Sequence, residues 1–344
     1  MGAGSVPDKG SFRFSLNTER GFGFKGGHPE TRGLDSNGQV VILPLHRHDV
    51  SLDYLRLELE VKYAFKDNWV LTLRAPYDIK DQNTEVSFIE PATAEEKQAM
   101  LNNGYIHHRS ETYRGISDLM LLTTYWKQAL FREGDSLSLS LGTTLPTAKT
   151  EENPFKLGEK GLKHLHIQFG TGTFDPLLEL NYRVPVTETL GLEAYALGRF
   201  PVYENSKTYQ GPVESTLGVL LRYNLNNRIS LHLNGTSYYQ AFAYWDGERD
   251  INSGLVAMSS LFGISIEAWK DTTLGIDLRT PLLQNFYQKE MLLNRDQPCF
   301  LASHGRCEFK EKNARTRLLK TAEIQQLLAT LFQIKSLQAP SFPS

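Results

Sequence analysis

Residues 136–141 read Ser-Leu-Ser-Leu-Ser-Leu, and residues 229–234 read Ile-Ser-Leu-His-Leu-Asn. The same alternation of apolar and polar residues runs through 55–65, 69–77, 178–183, 217–223 and 274–282. A period of two places one set of side chains on each face of a strand, so each segment is half greasy and half polar. Repeated in segments of about ten residues, the pattern predicts a transmembrane antiparallel β-barrel, an all-β fold.

The segments fall into pairs joined by short turns rich in Asp, Asn and Gly. The pairs are 52–65 with 69–79, 117–126 with 136–145, 174–183 with 190–200, 215–223 with 228–240, and 255–268 with 272–282. Residues 11–18 supply one earlier strand, followed by a Gly-rich stretch that reads as a long first loop. Between pairs the links are longer, above all 81–114 and 148–169, which matches barrels with short turns at one rim and long loops at the other. In the first of these, residues 91–101 read as a helix, with Pro91 at its start, Glu95 and Glu96 in its first turn, and Asn102-Asn103-Gly104 as its stop.

This count gives eleven strands, whereas a single-chain bacterial barrel needs an even number, so about twelve are expected. The barrel is assigned to residues 1–283 and an atypical tail to 284–344. In that tail Leu318, Ile324, Leu327, Leu328 and Leu331 lie at helical spacing across 314–334, and the twelfth strand has only a weak candidate at 329–342. Both cysteines, Cys299 and Cys307, also fall there. Their absence from the rest fits secretion into an oxidising compartment.

A net charge of -2 gives no basic bias toward nucleic acid. No apolar run approaches the roughly 18 residues of a membrane helix. The expected location is the outer membrane of a Gram-negative bacterium. The first residues, Met-Gly-Ala-Gly-Ser-Val-Pro-Asp, lack basic and apolar signal regions, so an export signal is expected to have been removed.

Alternation also assigns the faces. With Leu55, Leu57, Leu59, Val61, Tyr63 and Phe65 toward lipid, Arg56, Glu58, Glu60 and Lys62 point inward. The same rule puts Arg74, Asp118, Glu179, Arg183 and Glu193 in the lumen, with Arg199, Arg222, His232, Asp277 and Arg279. Charges of both signs would each cost about 2–4 kcal/mol in hydrocarbon and little in a wet interior. Such a set either forms a polar conduit or pairs off and fills the barrel. Aromatics gather at both strand ends: Phe65, Trp69, Tyr125, Trp126, Tyr182, Tyr223 and Trp269 beside the tight turns, with Tyr77, Phe200, Tyr203, Tyr238 and Tyr239 opposite. Two interfacial girdles are expected.

Three histidine groups, His46/His48, His107/His108 and His164/His166, sit in or beside the long links and are candidate transition-metal ligands. Against them, no Cys or acidic residue stands at ligand spacing. His232-Leu233-Asn234-Gly235 faintly resembles the His-x-Ser-Asn-Gly element of outer-membrane phospholipases, yet Asn234 occupies the place of the nucleophile. No other catalytic motif is present, so neither enzymatic activity nor a cofactor is expected.

Three further segments carry a resemblance. Gly115-Ile116-Ser117-Asp118 fits a strand-opening Gly-x-x-Asp, Leu145-Pro146-Thr147 fits Leu-Pro-Thr-Gly except that Ala148 replaces glycine, and residues 168–176 fit Gln-x-Gly-x-Gly-x-x-Asp. Together, over about 115–282, they resemble the outer-membrane transporter family named for a proposed MetA pathway of phenol degradation. That resemblance implies a passive channel for small, aromatic or hydrophobic, organic solutes, with outer-membrane lipids and the solute as partners. The competing expectation is a non-conducting barrel that captures ligand or metal with its histidine-bearing loops. A membrane phospholipase ranks below both, and nothing in the chain sets an oligomeric state.

Overall fold

The alternating segments become the staves of a closed antiparallel barrel in the computed structural model, which describes residues 8–251, 253–269, 272–286 and 331–338. In chain order the elements begin with β1 (Phe12–Leu34), β2 (Val40–Lys66), β3 (Trp69–Phe88), α1 (Ala94–His107) and β4 (Glu111–Ile116). There follow β5 (Leu119–Gln128), β6 (Ser136–Leu145), α2 (Pro154–Glu159), β7 (Pro176–Pro185) and β8 (Leu190–Arg199). Next come β9 (Tyr209–Gln210), β10 (Glu214–Asn224), β11 (Ile229–Gln240), β12 (Tyr244–Trp245) and β13 (Glu248–Arg249). The last three are β14 (Leu255–Trp269), β15 (Thr272–Phe286) and β16 (Leu331–Gln338).

The ring runs β1-β2-β3, then β4 and β5 stacked end to end on β3, then β6-β7-β8-β10-β11-β14-β15-β16 and back to β1. Twelve staves therefore close the ring among the described residues. β16 is the twelfth: it pairs with β15 from Thr273↔Lys335 to Asp277↔Leu331, and with β1 from Arg13↔Gln338 to Thr18↔Phe332. Among the described residues the seam is laddered over Thr273–Asp277 of β15 and Arg13–Thr18 of β1, which joins the two ends of the sheet as hydrocarbon demands. It corrects the reading of the tail. β16 lies within the weak strand candidate 329–342, so residues 331–334, counted toward a helix by their spacing, are strand, and β15 continues to Phe286, past the boundary set at 283. Leu318, Ile324, Leu327, Leu328, Cys299 and Cys307 lie outside the described residues.

The first three strands depart most from expectation. β1 and β2 are 23 and 27 residues long and meet at a tight turn around Asp35–Gln39, so the Gly-rich stretch is strand, not loop. One physical reason is close packing. A Cβ on Gly33 would lie 2.9 Å from the Ala99 carbonyl oxygen of α1, so glycine admits the helix against the sheet. The link after Ile79 is shortened from both sides, since 80–88 extend β3 and 111–114 belong to β4. β1, β2 and β3 thus rise beyond the other staves at the long-loop end.

α1 also outruns its expected stop. It opens on a capping box, with the Glu96 amide donating to Thr93 Oγ1 and the Thr93 amide donating to the Glu96 carboxylate. Asn102 and Asn103 do not end it, because their side-chain amides donate to the Leu34 and Arg32 carbonyls of β1. They tie the helix down and let it run on to His107. The loops over β6 to β14 form a second cap. There β13-β12-β9 make a small sheet, with Trp245 against Tyr209 and Asp246 tied to Asn153 and Lys156.

No helix among the described residues is long and apolar enough to cross a membrane. The belt that could meet lipid belongs to the strands. Around the ring, Leu73, Leu121, Leu141, Leu180, Val219, Leu233, Phe262 and Ile276 are all exposed on the outer face. Phe65, Tyr125, Tyr223 and Trp269 add exposed rings near the short turns, and Phe200, Tyr203 and Tyr239 near the long loops. Trp126 and Tyr238 leave the expected girdles. Each follows or precedes an outward-facing aromatic, so period two turns it inward, where Tyr238 donates to Glu214.

Candidate functional site

The inward set follows from the pleat: on each stave the residues flanking the exposed apolar ones face the axis. All fourteen charged or histidine side chains assigned to the interior from the sequence lie there. Thirteen line a single cavity of about 1180 Å³, and Arg183 lines a smaller one of about 100 Å³ beside it. The main cavity runs from Thr189 and residues 224–229 at the short-turn end to Phe169 and Asp118 beneath the long loops.

Its walls are paired. Arg56 forks onto Asp78 at 2.7 and 2.9 Å, and Arg74 holds Glu60 at 2.9 Å while its other arm reaches Glu179 on β7. Glu60 also takes Lys62 at 2.9 Å. Arg183 meets Glu193 at 3.1 Å, Arg279 meets Glu19 at 3.3 Å, and His232 Nε2 lies 2.5 Å from Asp277. Glu58 accepts from Asn17 at 3.4 Å, and Arg222 donates to Ser230. Pairing of this kind offsets the desolvation of each charge and leaves the wall polar yet nearly balanced. Apolar side chains interrupt it, with Phe169, Leu177, Leu197, Leu220 and Leu261 reaching the same space. The phospholipase-like segment is committed elsewhere, since Asn234 donates to the Tyr195 hydroxyl at 2.8 Å.

At the long-loop rim the three motif segments meet. The Asp118 carboxylate accepts from the Thr171 amide at 2.8 Å and the Ala148 amide at 3.1 Å. Arg199 reaches Asp175 at 2.7 Å, Asp118 at 3.4 Å and the Thr171 hydroxyl at 3.0 Å. Thr147 Oγ1 bonds the Ser117 carbonyl, and the Asp175 amide donates to Thr144 Oγ1 at 2.8 Å. Gly170 is required here, because a Cβ would sit 2.3 Å from the Asp118 carboxylate. Residues 118, 148, 170 and 175, spread over almost sixty positions, therefore form one buried polar knot. It pins the 146–175 segment across the lumen, with Phe169 held over the cavity by Gly115 and Lys80.

A second cluster lies higher, where β1 and β2 overtop the barrel. His28 stands opposite His48 across the hairpin. α1 brings His107 and His108 to them, and the segment after α2 brings His164 and His166. Ring nitrogens of His28, His48, His107 and His108 lie within 4.8 Å of one another, as do those of His107, His164 and His166. Five of the six histidines singled out in the sequence converge in these sets. His46 is fully buried beside His48 but belongs to neither. His28 was missed because its segment read as loop. Its signal was the hairpin itself, since a turn at 35–39 sets residue 28 against 48. Burial, and then repulsion among the rings, holds His48 down to about 3. Burial and the His164 ring hold His166 to about 3, and His107 and His108 also fall well below the ordinary histidine value. All are neutral imidazoles near pH 7, each with one N–H and one free lone pair.

No family model matches the chain, and no curated protein matches it in sequence. Solved structures do. The toluene transporter TodX of Pseudomonas putida (9% identity, 96% of this chain and 88% of that one, TM-score 0.38) and a Pseudomonas aeruginosa FadL homologue (9%, 96% and 90%, 0.36) align over nearly the whole chain. The COG4313 outer membrane channel from Pseudomonas putida F1 superposes better: at 11% identity it covers 97% of both chains with a TM-score of 0.57. The chain is thus similar in fold, from end to end, to an outer-membrane β-barrel channel.

Proposed function

We propose that the protein is a passive channel of a Gram-negative outer membrane, admitting small organic solutes through the barrel axis. The observation that carries this reading is the continuous cavity of about 1180 Å³ running from the short turns to the rim knot, inside a belt apolar enough for lipid. Opposite charges paired along one wall, with Phe169, Leu197 and Leu220 facing the same space, suit a solute with a polar group and an apolar or aromatic body. The likeness to the COG4313 channel supports passage as the function. The motif resemblance to the MetA-pathway transporters supports an aromatic or hydrophobic solute. On this reading the long loops face outside, the 146–175 segment constricts the entrance, and no chemistry is performed on the solute.

Reconstitution of the full chain in planar bilayers and in liposomes tests the proposal. Discrete conductance steps, together with liposome swelling in small aromatic acids or alcohols, are expected. A folded barrel that conducts no ions and admits no solute removes the channel reading.

A further inference from the structure

Four imidazoles meet at the top of the β1–β2 extension, away from the lumen, and the tautomers of two of them, His28 and His107, are set by their neighbours. His28 Nδ1 lies 3.0 Å from the Pro29 carbonyl, so that nitrogen bears the proton and Nε2 is a bare lone pair. His164 Nδ1 lies 2.7 Å from the Leu162 carbonyl and is likewise the donor, which leaves its Nε2 to accept. The atom it accepts from is His107 Nδ1 at 2.7 Å, so His107 Nε2 is also bare. His28 Nε2 and His107 Nε2 then confront each other at 3.3 Å, lone pair to lone pair, with His108 Nε2 at 2.9 Å from His28. His48, fully buried in the same set, has neither ring nitrogen hydrogen-bonded. Two lone pairs face to face and an orphaned buried ring are both unfavourable, and a cation bound between the rings would relieve both.

We propose that His28, His48, His107 and His108 form a binding site for one divalent transition-metal ion of the zinc class. Four imidazole nitrogens at about 2.0–2.1 Å from an ion stand about 3.3 Å apart in a tetrahedron; here His28 Nε2 lies 3.3 Å from His107 and 2.9 Å from His108, and no pair in the set is more than 4.8 Å apart. An all-imidazole donor set with no carboxylate selects zinc, copper or nickel over magnesium or calcium. His164 is a positioning residue: by accepting from His107 Nδ1–H it aims the bare Nε2 at the ion, as an outer partner does for a ligating histidine. The ion would join β1, β2 and the C-terminal end of α1, and through His164 the segment after α2, which belong to separate loops and strands. It would fasten the outer loops over the barrel mouth.

The test uses untagged full-length protein in detergent, stripped with chelator and titrated with Zn²⁺ by calorimetry, with Co²⁺ absorption as the reporter of geometry. The expected result is one saturable Zn²⁺ per chain and intense tetrahedral Co²⁺ bands. His107→Ala, and separately the His28→Ala/His108→Ala pair, should weaken Zn²⁺ by more than about 100-fold. Each is checked for the heat-dependent gel mobility of a folded barrel, and His107→Asn replaces His107→Ala if that variant fails to fold. His164→Ala should cost about 10- to 100-fold and alter the Co²⁺ spectrum, while His164→Gln, which keeps an acceptor, recovers most of both. Absence of saturable Zn²⁺ uptake by the wild-type chain, or wild-type affinity in a folded His107 variant, overturns the site.

Discussion

Arg74 shows how single side chains set the character of the lumen. Its guanidinium bridges Glu60 on the neighbouring stave and Glu179 on β7, so one cation balances two carboxylates. Arg74→Ala leaves Glu179 without that partner and Glu60 with Lys62 alone. The variant should lose about 1–3 kcal/mol in urea unfolding from vesicles, the scale of a charged hydrogen bond broken in a partly buried site. Its reversal potential in asymmetric salt should also move toward cation selectivity, and an unchanged value would mean the pair does not border the conducting path. That the fourteen interior residues could be assigned from sequence rests on period two alone, which carries face but not partner. Nothing in the order of residues says that Arg74 finds Glu179, 105 positions away, or that Asp118 receives the Thr171 amide. Those pairings are products of closure.

Elements carry a second kind of information, which the sequence discloses unevenly. The start of α1 is legible to within three residues from Pro91, Glu95 and Glu96, because its chemistry is local, and the Thr93–Glu96 capping box then sets the first helical residue at Ala94. The helix end was misread because Asn102 and Asn103, common stop residues, spend their amides on β1 instead. Glycine misled similarly in β1, where it serves close approach to α1 and not a loop. Both errors hid the same fact, that α1 lies against the extended hairpin and brings His107 beside His28 and His48. Thr93→Ala removes the acceptor for the Glu96 amide and should cost the helix about 1 kcal/mol. Hydrogen exchange reads this at the right scale: amides of 94–107 should exchange several-fold faster, while those of β6 and β7 stay as they were. Equal acceleration throughout would mean that the helix and the staves open as one unit.

For the molecule as a whole, two requirements act together: every ladder must close, and every stave must turn its apolar residues outward. Alternation exposed the second at once. The first was obscured by the tail, where residues 331–338, inside the weak strand candidate 329–342, complete the ring although Leu331 also ends a run of apolar residues at helical spacing. Pairing to both β15 and β1 outweighs a weak local preference, as it must where an open edge would lie in hydrocarbon. The lipid-facing assignment can be tested on a single strand. Val219 sits at the middle of β10, half exposed on the outer face between Ala194 and Gly235, while Thr216 on the opposite face of the same strand borders the cavity. In vesicles Val219→Arg should cost about 2–4 kcal/mol, because its charge would lie near the bilayer midplane. Thr216→Arg, facing water, should stay within about 0.5 kcal/mol of wild type and change conductance instead. The contrast depends on lipid: if both arginines cost the same, or if Val219→Arg is harmless, the apolar belt does not meet acyl chains and the barrel does not span a membrane.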